Sequence, residues 1–109
     1  MKNGMYRYAI EMKAPMGARH GLLALEVCGE TLLGTLTLFR QTLPIRTGSC
    51  VGNRVWFSGE MRTLLYTLPY QAEGVLSLAS ATLTVQTEKG CFPMTGTALV
   101  PPAGEGTQA

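Results

Sequence analysis

The chain has no aspartate, a single histidine (His20), and charged side chains at only 15% of its 109 positions. The lack of Asp and the lone His weigh against a nucleophilic triad, and a multi-histidine metal site cannot be built from one His per chain. The charge content is too low for a disordered chain, because apolar residues make up 46% of the sequence. No apolar run approaches the ~20 residues of a membrane-spanning helix. The first residues, Met1 to Arg7, lack the apolar core of a secretory signal. The nine Lys and Arg residues are dispersed and exceed the seven Glu by only two, so there is no basic stripe for nucleic acid. Cys28, Cys50 and Cys91 are odd in number, and no Cys-x-x-Cys is present. Free thiols in a cytoplasmic chain are the expectation, with no metal and no cofactor implied.

What the sequence does have is alternation with a period of two. Tyr6, Tyr8, Ile10 and Met12 alternate with Arg7, Ala9, Glu11 and Lys13. Val55, Phe57, Gly59 and Met61 alternate with Trp56, Ser58, Glu60 and Arg62, and shorter alternations follow at 35–38 and 82–85. Turn signals recur about every ten residues: Pro15-Met16-Gly17, Gly29-Glu30, Gln41-Thr42, Gly52-Asn53, Thr63-Leu64, 74–77 and Glu88-Lys89-Gly90. This spacing predicts a β-meander without helices. The predicted strands are 5–14, 18–28, 31–40, 43–51, 54–63, 65–74, 78–87 and 91–100, followed by a Pro/Gly-rich tail over 101–109.

The two halves of the chain are similar. Glu11-Met12-Lys13 matches Glu60-Met61-Arg62, and Pro44-Ile45 matches Pro93-Met94, both 49 residues later. Thr35-Leu36-Thr37-Leu38 matches Thr82-Leu83-Thr84-Val85 at an offset of 47, so the spacing is expected to slip by two and recover. An all-β, eight-stranded antiparallel up-and-down barrel with two similar four-stranded halves is the predicted architecture, with a two-sheet sandwich as the alternative. Residues 1–100 form its single domain. Pro69 falls inside a predicted strand and calls for a bulge or an open edge.

Parity within the strands predicts an interior of Tyr6, Tyr8, Ile10, Met12, Leu23, Leu25, Val27, Leu36, Leu38, Ile45, Val55, Phe57, Met61, Leu68, Tyr70, Leu83, Val85, Phe92 and Met94. A buried tyrosine needs a hydroxyl partner. Tyr6, Tyr8, Phe57, Tyr66, Tyr70 and Met94 are therefore candidates to line a lumen for a small apolar or aromatic ligand; the alternative is a barrel plugged by its own side chains. Leu22, Phe39, Trp56, Leu65 and Leu99 have outward parity and are candidates for an interface, the simplest being a homodimer. Glu11 and Glu60 also point outward. Lys13 and Arg62 are their expected partners, which makes a solvated charged face rather than an acid–base pair. His20 is expected on the outer face of the second strand with no catalytic role.

Gly4-Met5-Tyr6-Arg7-Tyr8, Pro15-Met16-Gly17, Leu33-Gly34-Thr35-Leu36, Phe57-Ser58-Gly59 and Gly90–Thr97 together resemble small bacterial calycin-like β-barrel domains of the lipocalin and streptavidin type. Similar domains occur alone or appended to flavin-dependent oxidoreductases of anaerobic bacteria. The resemblance implies ligand binding as a class and brings no catalytic residue. Three readings follow: a non-catalytic binding or interaction barrel, a solid accessory module of a redox enzyme system, and an enzyme that uses tyrosine hydroxyls in the lumen.

Overall fold

The computed structural model describes residues 2–14, 17–38, 40–62, 65 and 67–99. Among these there is no helix. The strands are β1 (Gly4–Ala14), β2 (Gly17–Cys28), β3 (Thr31–Leu38), β4 (Gln41–Pro44), β5 (Thr47–Val51), β6 (Arg54–Arg62), β7 (Thr67–Leu76), β8 (Ser80–Thr87) and β9 (Gly90–Ala98). Every ladder is antiparallel. β9 pairs with β1 and β2 with β3, so the sheet closes into an eight-stranded barrel, with β4 as an extra strand on β3. The sandwich alternative is excluded. The tail and the turn residues Pro15, Met16, Thr63 and Leu64 lie outside the described residues.

The ladder registers define the internal repeat more sharply than sequence matching. Ile10 faces Gly21 in the first half, and Gly59 faces Tyr70 in the second. Leu25 faces Gly34, and Gly74 faces Leu83. Thr35 faces Pro44, and Thr84 faces Pro93. Each residue lies 49 positions from its counterpart, so the expected slip to 47 does not occur. The two Thr-Leu-Thr stretches match as strings but sit two residues apart in structural register.

Two further expectations are corrected. The predicted strand 43–51 is split into β4 and β5. At the split, the Ile45 amide bonds back to Gly34 O, while the Arg46 amide bonds across to Ser58 O, both at 2.9 Å. Thr47 also faces Ser58, so two residues oppose one and the strand bends as at a β-bulge. The predicted turn at 74–77 also moves, because β7 continues to Leu76. Gly74 is not a turn residue. It sits opposite Leu83, where an added Cβ would lie 2.0 Å from Thr82 O. The turn itself is built by Ser77, whose Oγ accepts from the amides of Ala79 (3.1 Å) and Ser80 (2.9 Å).

Three prolines are accommodated by one rule. Pro44, Pro69 and Pro93 each pair on one side only, with Thr35, Glu60 and Thr84. On the other side, β4 has no ladder with β6, the β7–β8 ladder begins at Gln71, and the β9–β1 ladder begins at Met94. The missing N–H of each proline therefore interrupts no ladder.

Parity holds across the barrel. Of the nineteen residues predicted inside, all are buried except Tyr6 and Phe92, which are half-buried and pack against the core. The structure adds Leu32, Leu43, Cys50, Ala72, Leu76 and Ala81 to the interior. Burial of this single contiguous cluster drives closure, at about 25 cal/mol for each Å² of apolar surface removed from water.

Candidate functional site

The interior tyrosines are anchored unequally. The Tyr8 hydroxyl donates to Ser77 O at 2.7 Å, tying β1 to the β7–β8 turn. The Tyr6 hydroxyl donates to Lys2 O at 2.6 Å. The buried Tyr70 hydroxyl has no partner among the described residues. Its ring covers Gly59, where an added Cβ would lie 2.9 Å from the oxygen. It meets Phe57 edge-on, with centroids 6.3 Å apart and planes at 84°. Burial pushes the Tyr70 hydroxyl up to about 12, and burial followed by the neighbouring Tyr6 raises Tyr8. Four of the predicted lumen residues, Tyr8, Phe57, Tyr70 and Met94, thus lie in the packed core. Tyr66 lies outside the described residues.

The outward candidates are placed on separate parts of the wall. Leu22 is half-buried on β2 opposite Ala9 and Thr37. Trp56 is exposed on β6, Leu65 lies in the β6–β7 connection, and Leu99 follows β9, where its amide bonds to Arg7 O. Phe39 lies outside the described residues. Glu11 pairs with His20 (3.2 Å), its cross-strand neighbour, and Glu60 pairs with Arg46 (3.5 Å). These correct the expected partners Lys13 and Arg62. Residues two apart on one strand share a face, but the facing strand brings its side chain closer. Cys28 and Cys91 are exposed and Cys50 is buried, and no disulfide joins them. No cluster of three metal-ligating side chains occurs among the described residues.

Two adjoining depressions lie along β5–β8. One depression of about 310 Å³ is walled by Trp56, Gln71, Glu73 and Gln86. A second, of about 660 Å³, adjoins it along Thr47, Ser58, Gln71 and Gln86 and reaches Gly59 and Tyr70, and the pair is termed the trough. The ladders explain the shape. Thr47, Ser58, Gln71, Gln86 and Cys91 follow one another across β5 to β9, and Ser49, Trp56, Glu73, Thr84 and Pro93 form the adjacent row. The short Thr47, Ser49 and Ser58 on β5 and β6 thus face the longer Gln71, Glu73 and Gln86 on β7 and β8, and the short ones leave the hollow. The Arg54 guanidinium sits 5.6 Å from the Trp56 ring centroid and holds the indole from one side. A third depression, of about 460 Å³, lies at the β4–β6 seam and includes Gln41, Pro44, Glu60 and Arg62. The Gln41 amide donates to Arg62 O at 2.8 Å across this seam.

Of the residues that line the two depressions, sequence reading singled out Trp56, Phe57 and Tyr70 and missed Ser49, Ser58, Gln71, Glu73 and Gln86. Their outward parity was visible. Their convergence on one trough depends on cross-strand register, which no single segment encodes.

No protein family, curated protein or solved structure matches this chain. The closed eight-stranded barrel is consistent with a calycin-like fold.

Proposed function

We propose that this chain is a non-catalytic binding barrel that works through the outer wall of β5–β8, with the packed interior as its rigid support. The carrying observation is the trough itself. The open concavity surrounds Trp56 and Gln71 and has Phe57 and Tyr70 at its floor, whereas the inward Tyr8 and Met94 line neither depression and are engaged in core packing. A binding role inside a reducing compartment such as the cytoplasm agrees with three cysteines that form no disulfide. The likeness to domains appended to flavin-dependent oxidoreductases gives the accessory form of the same reading, in which the wall docks rather than captures.

The test is amide chemical-shift mapping with small organic probes (isopropanol, phenol and acetamide). Shifts centred on Ser49, Trp56, Gln71 and Glu73 are expected. Shifts centred on the amides of Tyr8, Leu25, Leu36 and Met94, which line neither depression, would instead establish the lumen as the binding site and overturn the outer-wall reading.

A second reading, the homodimer, is favoured by one row of the same wall. Exposed Val51 and Val75 flank Arg54, beside exposed Trp56. Covering them with a second copy would remove this apolar surface from water. Sedimentation equilibrium decides it: a dimer that Val75→Glu dissociates supports the reading, and a monomer at millimolar concentration ends it.

A further inference from the structure

We infer that the trough on β5–β8 binds a neutral oligosaccharide, an inference that rests on the outer-wall reading above. The chemistry of the lining selects this class. A nucleic acid or phosphate ligand needs concentrated positive charge, and the charged lining residues of the two depressions are Glu60, Glu73 and Glu88 against Arg46 alone. A lipid or apolar peptide needs a groove free of polar groups, and here Ser49, Ser58, Gln71, Glu73 and Gln86 stand among the apolar Trp56, Phe57 and Ala72. A sugar ring is the ligand that presents an apolar C–H face and a rim of hydroxyls together. The indole supplies a flat apolar platform. Gln71 and Gln86 each offer a carbonyl acceptor and an NH₂ donor, Glu73 offers acceptors, and the serine hydroxyls offer both.

Two further observations support the assignment. Among the described residues, the side chains of Ser49, Ser58, Gln71, Glu73 and Gln86 make no hydrogen bond or ion pair within the chain, so their capacity is open to a ligand. Arg54 braces the Trp56 ring, which lowers the ordering cost when a ligand stacks on it. The row from Thr47 to Gln86 crosses three strand spacings, roughly 14 Å. That length suits a short oligosaccharide better than a monosaccharide.

Trp56 is the sole tryptophan, so its fluorescence reports directly on the trough. The experiment titrates the full chain with cellotetraose, maltotetraose, xylotetraose and chitotetraose, with a heparin tetrasaccharide and inorganic phosphate as charged controls. At least one neutral tetrasaccharide is expected to shift the emission saturably, with no response to the charged probes. Calorimetry should then show binding weakened at least ~10-fold, or about 1.4 kcal/mol, by Trp56→Ala and by Gln71→Ala. Leu33→Ala, on the exposed face of β3, should leave it unchanged. Dispersed amide spectra verify that each variant is folded. A folded protein silent to all four neutral sugars, or binding that survives both trough substitutions, overturns the inference. If the sugars fail while the organic probes still map to the trough, only the ligand class falls; if the probes miss the trough, the outer-wall reading falls with it.

Discussion

The two four-stranded halves solve the same packing problem with opposite choices of residue. In the first half, Ile10 and Leu25 are the large partners facing Gly21 and Gly34; in the second, Gly59 and Gly74 are the small partners facing Tyr70 and Leu83. Each pair keeps one bulky and one absent side chain, so the total volume across the ladder is held while the strand that carries it changes. Core packing tolerates such exchanges when volume and pattern are conserved. The ladders are therefore the conserved element of the repeat, and the residues at equivalent positions are free to trade size. The outer walls diverge further. On the first half, His20 answers Glu11 and Thr42 answers Thr37. The trough around Trp56 keeps its polar groups open.

The sharpest way to break the symmetry is to add one carbon to each half. Gly34→Ala would place a Cβ 2.0 Å from Ala24 O at a backbone φ of +152°, and Gly74→Ala would place one 2.0 Å from Thr82 O. Both should lose at least ~3 kcal/mol in urea titration, because backbone rather than a mobile side chain is in the way. Gly34→Ala is the worse of the two, since left-handed strain adds to the clash. A tolerated Gly74→Ala would show that the second half has slack the first lacks.

The tyrosines give the next effect, with opposite signs in the two halves. Tyr8→Phe removes the hydroxyl bond to Ser77 O and should cost about 1 kcal/mol, leaving the β7–β8 turn less protected from hydrogen exchange. Tyr70→Phe removes a buried hydroxyl without a partner and should leave stability unchanged or slightly raised. The alkaline limb sharpens the contrast. Unfolded tyrosine ionises near pH 10 and folded Tyr70 at about 12. The stability held by the neutral phenol is therefore complete below pH 10 and lost as pH climbs toward 12, by about 2–3 kcal/mol. Tyr70→Phe should flatten that loss in a series of denaturant titrations; an unchanged slope would place the relevant ionisation elsewhere.

The smallest effect concerns the seam, where β4 and β6 have no ladder. Gln41→Ala and Arg46→Ala remove the Gln41–Arg62 bond and the Arg46–Glu60 pair. The Arg46 side chain is 65% exposed, so its substitution should cost only a few tenths of a kcal/mol. Amide exchange at Glu60 should quicken more than the change in melting temperature suggests. No such quickening would mean that the bend at Ile45–Arg46, rather than its side-chain clasps, holds the seam closed.

Much of this molecule could be read directly from the sequence because a strand's two faces differ at every second residue. Tyr8, Ile10, Met12 and Phe57 were assignable to the interior from their neighbours alone, and nearly all of the predicted core is buried. The misplacements occur where local and long-range demands conflict. Gly74 has the chemistry of a turn residue but is placed within a strand by the bulk of Leu83 opposite. The Thr-Leu-Thr matches pointed to a slipped repeat because string similarity ignores which strand each residue faces.

The sequence by itself determined the class of fold, its meander order and the side of the sheet on which each residue lies, since these follow from a period of two and from turns at regular spacing. Tertiary structure alone decided the constant 49-residue register, the break in the fourth strand and the union of Trp56 with Gln71, Glu73 and Gln86. Those features depend on which residue of one strand lies opposite which residue of the next, and that is settled only when the sheet closes on its packed interior.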